Sequence, residues 1–544
     1  MPKHRFITRS KIVLLGFFVA ACGAFSAHAE TTGESGRFPI VRFKIEGNRS
    51  LPSDLLEPLV APFTGPDREY GDIQRAVEAI EFAYRQQGYA AIQVHAPEQE
   101  LTGGTVRLQV IEATVGRVIF DGPSRHFDID NLRATLPALI EGTRPNARNL
   151  SAQIALANEN PAKQIEVVLG LGAQTGKVDA RLKLDESNPF KIALNLDNTG
   201  SEQTGRHRLG VTVQHANLWN RDHVGTIAYQ TSPEKPDQVS IYSLSYRLPV
   251  YAWAGAFDFI LAKSTVNAGT TVTTAGNLDF AGSGTVFGLR YTHTLPREGD
   301  TTQKLVLGWD VKANDNTCTL GTFGAAGCGS AAADVTLRPL SLAYTRMQVA
   351  PGRATEFTAS LATNLRGGAH GREEDFQSSR PGTSGGASAD YTVLRGNLTH
   401  LRVFEGDWQA RLAANAQWTP QPLLAQEQLG LAGSSTVRGF LEREVARDTG
   451  VQISVEGYTP SFADALGSKG NLRALAFLDA ATGRNHLLDG ETQPRPSLAS
   501  WGLGLRYGAG KDVSAKLDVA QIITANGNQN RGDWRGHFSL MFAF

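Results

Sequence analysis

Four short constellations in this sequence have residue types that could do chemistry. Gly382-Thr383-Ser384-Gly385-Gly386 satisfies the G-x-S-x-G pattern of a hydrolase nucleophile. It lies in a Gly/Ser-rich stretch, without the strand–turn–helix context that lifts such a serine into a site. Gly172 to Gly176 followed by Lys177 has the look of a phosphate loop, but it is one residue short. Val178 stands where Ser or Thr is needed, and no helix follows. His370 with Glu373, Glu374 and Asp375 reads as a solvated loop in preference to a metal site. Cys318 and Cys328 lie in a Gly/Ala/Thr-rich run with no histidine or second cysteine pair nearby. A disulfide closing one loop is the expectation there. The sequence thus leads us to expect no enzyme, and no catalytic, cofactor-binding or metal site.

Composition bounds what else the chain can do. Its 544 residues carry 53 Lys+Arg and 53 Asp+Glu, a formal net charge of zero, which argues against a nucleic-acid binder held by bulk charge. With 41% hydrophobic and 19% charged residues it is too polar for a polytopic helical membrane protein and too apolar for disorder. The 57 glycines and 3 methionines favour turns and strands.

The N-terminus has the form of an export signal. Lys3, Arg5, Arg9 and Lys11 precede an apolar run from Ile12 to Ala21, and Ala27-His28-Ala29 offers a small-x-small cleavage site. Residues 1–29 are therefore read as a signal peptide, with a lipidated Cys22 as the competing reading. No other segment has the ~18 apolar residues of a spanning helix, so any membrane crossing must use strands.

The pattern changes character near residue 189. Before it, two small α+β units are expected, at 38–113 and 114–188. The first reads as a strand Val41–Ile45, a helix capped by Ser53, a long helix Gly71–Gln87 stopped by Gly88, then strands Tyr89–His95 and Thr105–Ile111. The β-α-α-β-β order then repeats more faintly.

From 189 to 544 the helical period disappears. Sixteen amphipathic segments of about ten residues alternate between turn clusters, which indicates a sixteen-stranded antiparallel membrane β-barrel with a polar interior. In one of them Gln409, Arg411, Asn415 and Gln417 share a parity while Trp408 and Leu412 share the other. The last strand puts Trp534, Phe538, Leu540, Phe542 and Phe544 on one parity, toward lipid, and Arg535, His537 and Ser539 toward the lumen. An open edge so apolar would aggregate; closure removes it.

The stretch AVEAIEFAYRQQGYAAIQVHAPEQELTGGTVRLQVIEATVGRV resembles POTRA (polypeptide-transport-associated) domains. With the barrel, it makes the chain similar to the outer-membrane transporters of two-partner secretion, the haemolysin secretion/activation family. That resemblance covers nearly the whole mature chain. Val437-Arg438-Gly439-Phe440 matches the family's VRG(Y/F) motif, in a long connection at about 419–448 that the resemblance implies is a sixth extracellular loop folded into the lumen. Phe477-Leu478-Asp479-Ala480-Ala481 matches F-x-D-x-G at two positions of three, with Ala481 in place of glycine. The resemblance implies a lumenal Arg438–Asp479 ion pair.

Period-two alternation puts Phe477, Asp479 and Ala481 on one face together with Arg473. Arg473 is six residues away, roughly 20 Å along a strand, too far to take Asp479 for itself. Glu456 is a possible second acceptor for Arg438. Some family members open with a plug helix; only about eight residues separate Glu30 from Phe38 here, so none is expected. The function implied is recognition of an unfolded exoprotein in the periplasm of a Gram-negative bacterium and its passage to the cell surface. The expected partners are that exoprotein, outer-membrane lipid and the barrel-assembly machinery that inserts this chain, with no nucleic acid. A barrel-assembly insertase and a diffusion porin are the alternatives.

Overall fold

The structure, a computed structural model, describes residues 36–122, 124–266, 269–280, 282–314, 333–381, 386–486, 497–525 and 529–544. The expected signal peptide, its Cys22 alternative, the expectation of no plug helix, the expected Cys318–Cys328 disulfide and most of the Gly382–Gly386 motif fall outside the described residues. The chain divides into two compact units: residues up to 187, apart from 160–162, and the remainder.

The first unit is an internal repeat. Its first copy comprises β1 (Phe38–Ile40), β2 (Arg42–Glu46), α1 (Ser53–Val60), β3 (Gly65–Arg68), α2 (Tyr70–Gln86), β4 (Ile92–His95) and β5 (Thr105–Glu112). In α2 the apolar residues Ile73, Ala76, Ile80 and Tyr84 recur at helical spacing and bury against Leu56, Val106 and Leu108. Gly88, at φ +88°, ends that helix in the left-handed region. Pro52, not Ser53, holds the cap position of α1, and the Ser53 hydroxyl accepts from Asn48 instead. The short β1–β3 pair has too few alternating residues to announce itself in the sequence.

The second copy comprises β6 (Thr114–Asp121), α3 (Ile129–Thr135), α4 (Ala147–Ala157), β7 (Lys163–Leu171) and β8 (Lys177–Glu186). Both copies place the last strand centrally, parallel to the first and antiparallel to the other: β2-β5-β4 and β6-β8-β7. Gly172 to Gly176 is the β7–β8 hairpin turn, so the phosphate-loop pattern has no helix to open.

Both copies also close the loop after the first strand with a carboxylate from the end of the central strand. Glu112 accepts from the Arg49 and Ser50 amides at 2.7 Å each, and Glu186 accepts from the Arg125 and His126 amides at 2.5 and 3.2 Å.

The second unit is a closed antiparallel barrel. Its strands are β9 (Phe190–Asp197), β10 (Arg208–Leu218), β11 (His223–Thr231), β12 (Ser240–Val250) and β13 (Gly255–Ser264). After a hairpin of β14 (Gly269–Thr273) and β15 (Gly276–Phe280) come β16 (Gly284–Thr294), β17 (Thr301–Asn314), β18 (Val335–Leu337), β19 (Pro339–Ala350) and β20 (Arg353–Asn364). The short helix α5 (Glu373–Ser379) precedes β21 (Thr392–Val403) and β22 (Gln409–Trp418). Within the next connection β23 (Leu429–Gly430) pairs with β24 (Ala446–Arg447), and β25 (Thr449–Tyr458), β26 (Asn471–Arg484), β27 (Ser497–Ala509), β28 (Val513–Thr524) and β29 (Trp534–Ala543) complete the wall. Because β18 and β19 both pair with β17 as one strand interrupted at Arg338, the wall counts sixteen, as the alternation indicates. β29 closes on β9 from Ser539↔Asp197 to Ala543↔Ala193.

Alternation sorts the two faces. On β27 Trp501, Leu503 and Leu505 face outward while Ser500 and Arg506 face in. Outward tryptophans gather at the two rims: Trp219, Trp253 and Trp408 beside short turns, Trp418, Trp501 and Trp534 toward the long loops. Two elements fold back inside. The β14–β15 hairpin hydrogen-bonds the lumenal Ser243 and Ser245 through Thr271, Val272 and Thr274, an insert not expected from the sequence. In the segment His370–Asp375, expected to be a solvated loop, His370 and Glu374 are exposed, and the residues from Glu373 onward form α5. There Phe376 is fully buried, and Glu373 accepts from the Ala389 amide at 2.9 Å. The other insert is residues 419–448, between the eleventh and twelfth strands, which we call loop six.

Candidate functional site

Loop six is held in shape before it reaches the wall. The Arg443 guanidinium donates to the Ala425 and Gln428 carbonyls, and Glu442 accepts from the Ser434 amide at 2.6 Å. Gly433 and Gly439 have φ of +138° and +100°, conformations that favour glycine. A Cβ on Gly439 would also sit 3.2 Å from Ile522, so the chain passes close to the wall there.

Within the motif, Arg438 reaches β26. Its Nε and Nη2 donate to the two Asp479 oxygens at 2.7 and 2.8 Å, a forked pair, and its backbone amide adds a third bond at 3.2 Å. Nη1 donates to Glu456 at 2.9 Å and Nη2 to Ser454 at 3.2 Å, both on β25. The guanidinium lies 3.4 Å from the centre of the Phe477 ring, a cation–π contact. Strand register explains the convergence, because Ser454 pairs with Asp479 and Glu456 with Phe477. Arg438 is 4% exposed and Asp479 fully buried, so little water screens the pair.

Neighbouring residues complete a neutral cluster. Arg411 donates to Glu456 at 3.0 Å, Arg506 makes a fork with Asp518 at 2.8 and 2.9 Å, and Asp518 stands 3.5 Å from Arg438. His537 of β29 accepts from the Gly439 amide at 2.9 Å. Of Asp518, Arg506 and His537, only His537 shows itself in the sequence, by the lumenal parity of its strand, since nothing in a linear pattern joins residues so far apart. Arg473 turns away to Asp407 at 2.7 Å.

Val437 and Phe440 bury with Ala481, Leu498 and Ile522 in an apolar patch, so the methyl of Ala481 packs where the motif has glycine. On β29, Trp534, Phe542 and Phe544 are exposed on the outer face, with Phe538 and Leu540 partly covered on the same parity. Beside the loop tip a cavity of about 630 Å³ is lined by Arg438, Ser434, Ser435, Asp197 and Thr199.

A closed sixteen-stranded barrel with aromatic rims, an inward loop and two preceding α+β units is the architecture of an outer-membrane β-barrel protein. Comparison with known families agrees. The model described as "Haemolysin secretion/activation protein ShlB/FhaC/HecB" matches residues 176–507, more than half of the chain, and "POTRA domain, ShlB-type" matches residues 38–113. The chain therefore belongs to the ShlB/FhaC/HecB family of haemolysin secretion/activation proteins. It is 21% identical over 515 residues to the heme/hemopexin transporter protein HuxB of Haemophilus influenzae, covering 90% of this chain and 85% of that one. It is 23% identical over 468 residues to the outer membrane transporter CdiB of Escherichia coli, covering 81% and 72%. The solved structure of CdiB from Escherichia coli shares the fold, with a TM-score of 0.73 at 18% identity over 95% of this chain and 93% of that one.

The protein is accordingly an outer-membrane transporter of two-partner secretion that carries a secreted exoprotein partner from the periplasm, where its POTRA-type units lie, to the cell surface.

Proposed function

We propose that the exoprotein is captured unfolded by the α+β units, through an extended segment added to a sheet edge. Backbone pairing of that kind tolerates sequence variation while side-chain pockets select. The segment then threads the polar lumen as loop six shifts, and Arg438 with Asp479 and Glu456 sets the resting position of that loop. No covalent step or cofactor enters this scheme, and the work comes from binding and from folding of the cargo outside the cell. The outward aromatic rows seat the barrel in outer-membrane lipid, and the barrel-assembly machinery inserts it, with the aromatic β29 as its terminal strand.

The observation that carries the loop assignment is the forked Arg438–Asp479 pair, with Asp479 fully buried and Arg438 nearly so. Arg438→Ala should reduce appearance of the partner outside cells several-fold while the barrel keeps its heat-modifiable migration on gels. Undiminished secretion by that variant sinks the role given to Arg438.

A further inference from the structure

The outer face of the barrel is not uniform at its short-turn end. On β12 the outward positions there are Leu248 and Val250, in step with the exposed Tyr242 and Leu244, and on β29 Phe542 stands outward. The ladder of β20 and β21 departs from this. Phe357 and Leu361 on β20 and Leu394 on β21 are exposed on the outer face, and the same parity carries on to Thr355 and Arg353 and to His400 and Arg402. Thr355 is the register partner of His400, and its hydroxyl lies 2.8 Å from His400 Nδ1, so the two side chains share that face. In the next pair on the same face, toward the rim, Arg353 stands opposite Arg402.

Residues directly opposite on adjacent strands have Cβ atoms about 5 Å apart, and like charges in that relation repel. Both guanidinium groups are exposed, and among the described residues neither forms an ion pair or a side-chain hydrogen bond. Of the two carboxylates nearest in sequence, Glu356 has the lumenal parity of its partner Thr399, which lines the cavity beside the loop tip, and Glu405 is exposed in the turn after β21. Arg402 rests against the Phe404 ring, 5.3 Å from its centre. Phe404 and Trp408, both about half exposed, mark the depth, because aromatic side chains gather where acyl chains meet headgroups. This rim is the periplasmic one, since the POTRA-type units lie in the periplasm and the chain enters β9 from them at this end.

We propose that Arg353 and Arg402 form a binding site for the phosphate of an anionic phospholipid in the periplasmic leaflet. A phosphodiester placed between two guanidinium groups accepts charge-assisted hydrogen bonds from both and turns their repulsion into attraction. The acyl chains then lie along the apolar outer surface that Phe357 and Leu361 continue. The anion is a lipid headgroup because the pair has lipid-facing parity at headgroup depth, where basic clusters recognise anionic headgroups. The site goes beyond the transport reading and does not depend on it, since it requires only a barrel seated in an outer membrane.

The test is native mass spectrometry of the full-length protein released from detergent, titrated with phosphatidylglycerol or with phosphatidylcholine. The parent should retain phosphatidylglycerol in preference to phosphatidylcholine. Arg353→Ala combined with Arg402→Ala should raise the phosphatidylglycerol concentration for half occupancy about thirtyfold, from ~1 kcal/mol for each cation lost beside an anionic lipid. Arg221→Ala combined with Lys511→Ala, which removes two cations from other short turns, should leave retention as in the parent. Equal retention by the parent and the Arg353/Arg402 variant overturns the site. An equal loss in the control variant overturns it too, because bulk charge would then account for binding. Equal retention of phosphatidylcholine overturns the anionic headgroup, and displacement of the lipid by inorganic phosphate overturns the choice of a lipid over a free anion. If the double alanine variant loses its heat-modifiable migration, Arg353→Gln alone should lower retention, and unchanged retention by that variant overturns the proposal.

Discussion

The two units of this chain are built from strands with the same period-two alternation, yet they bury opposite faces of it. On β5 of the first α+β copy, Val106, Leu108 and Val110 turn inward under α1 and α2, and the polar residues meet water. On β27 of the barrel, Trp501, Leu503 and Leu505 turn outward and Arg506 faces the lumen. What lies beyond the strand decides the outcome, helices and water in one case and lipid and a wet lumen in the other. The difference carries into the ionic chemistry. In the α+β units Glu112 and the half-buried Glu186 hold loops through backbone amides, while the buried Asp72 and Asp179 pair with Arg75 and Arg117. In the barrel Asp479 is buried mid-wall and takes its cation from a loop, through the guanidinium and the backbone amide of Arg438.

Removing that acceptor should have the largest effect. Asp479→Ala removes the forked partner and leaves the buried Arg438 guanidinium with Glu456, Ser454 and the more distant Asp518. Losing one partner of a buried pair costs about 3–5 kcal/mol. Secretion should fall at least as far as for Arg438→Ala, and the heat-modifiability midpoint should drop. Asp479→Asn, which keeps the shape without the charge, should lie between. A midpoint and a secretion level both equal to the parent would remove the cluster from the mechanism.

The sorting of faces can be broken by one substitution. Leu503 lies mid-strand on the outer face and is 60% exposed, while Arg506, three residues on, is accommodated in the lumen by Asp518. Leu503→Arg should destabilise the barrel by about 2–4 kcal/mol, the cost of a charge at the lipid midplane. Equilibrium unfolding into detergent-free urea from lipid vesicles would measure it. A cost near zero would mean that Leu503 does not face lipid and that the parity assignment of β27 is wrong.

Much of this was legible in the residues, and the reasons are particular. The helix α2 shows itself through apolar spacing and Gly88, the barrel through alternation, and the inward loop through Val437–Phe440. Asp479 and Glu456 could be placed on a lumenal face because parity is local. The convergence of Arg506, Asp518 and His537 on loop six depends on wall curvature and stagger, which no local pattern encodes. The facing of Arg353 and Arg402 was invisible for a related reason, since it depends on the register between two strands, which neither strand records alone. The β14–β15 hairpin was missed because five-residue strands inside a loop carry little periodicity. The cap of α1 fell to Pro52, whose fixed φ already suits the extended conformation before a helix, which leaves Ser53 inside.

The smallest expected effect is a pH dependence confined to the α+β unit, and it sharpens the contrast between its two copies. Burial pushes the Glu112 carboxyl up, but hydrogen bonds from the Ser50 amide, the Tyr84 hydroxyl, the Ser50 hydroxyl and the Arg49 amide outweigh it. The group therefore sits below the ordinary carboxylate range. Arg144, carried by the second copy, stands 2.5 Å from the same carboxylate. A carboxyl lowered in the folded state stabilises fully above its unfolded value, about 4.3, and that contribution is lost as pH falls through the folded value. Glu186 is lowered too, with burial opposing and the Arg125 and His126 amides prevailing, but it has no counterpart of the Tyr84 hydroxyl among its donors. Pulse proteolysis of the full-length protein between pH 3 and 7 should show protection of residues 38–187 declining below about pH 4.3. Glu112→Gln should flatten that decline more than Glu186→Gln does. Equal flattening would mean that the Tyr84 hydroxyl and Arg144 add nothing to the amide bonds, and that the two copies hold their carboxylates in the same way.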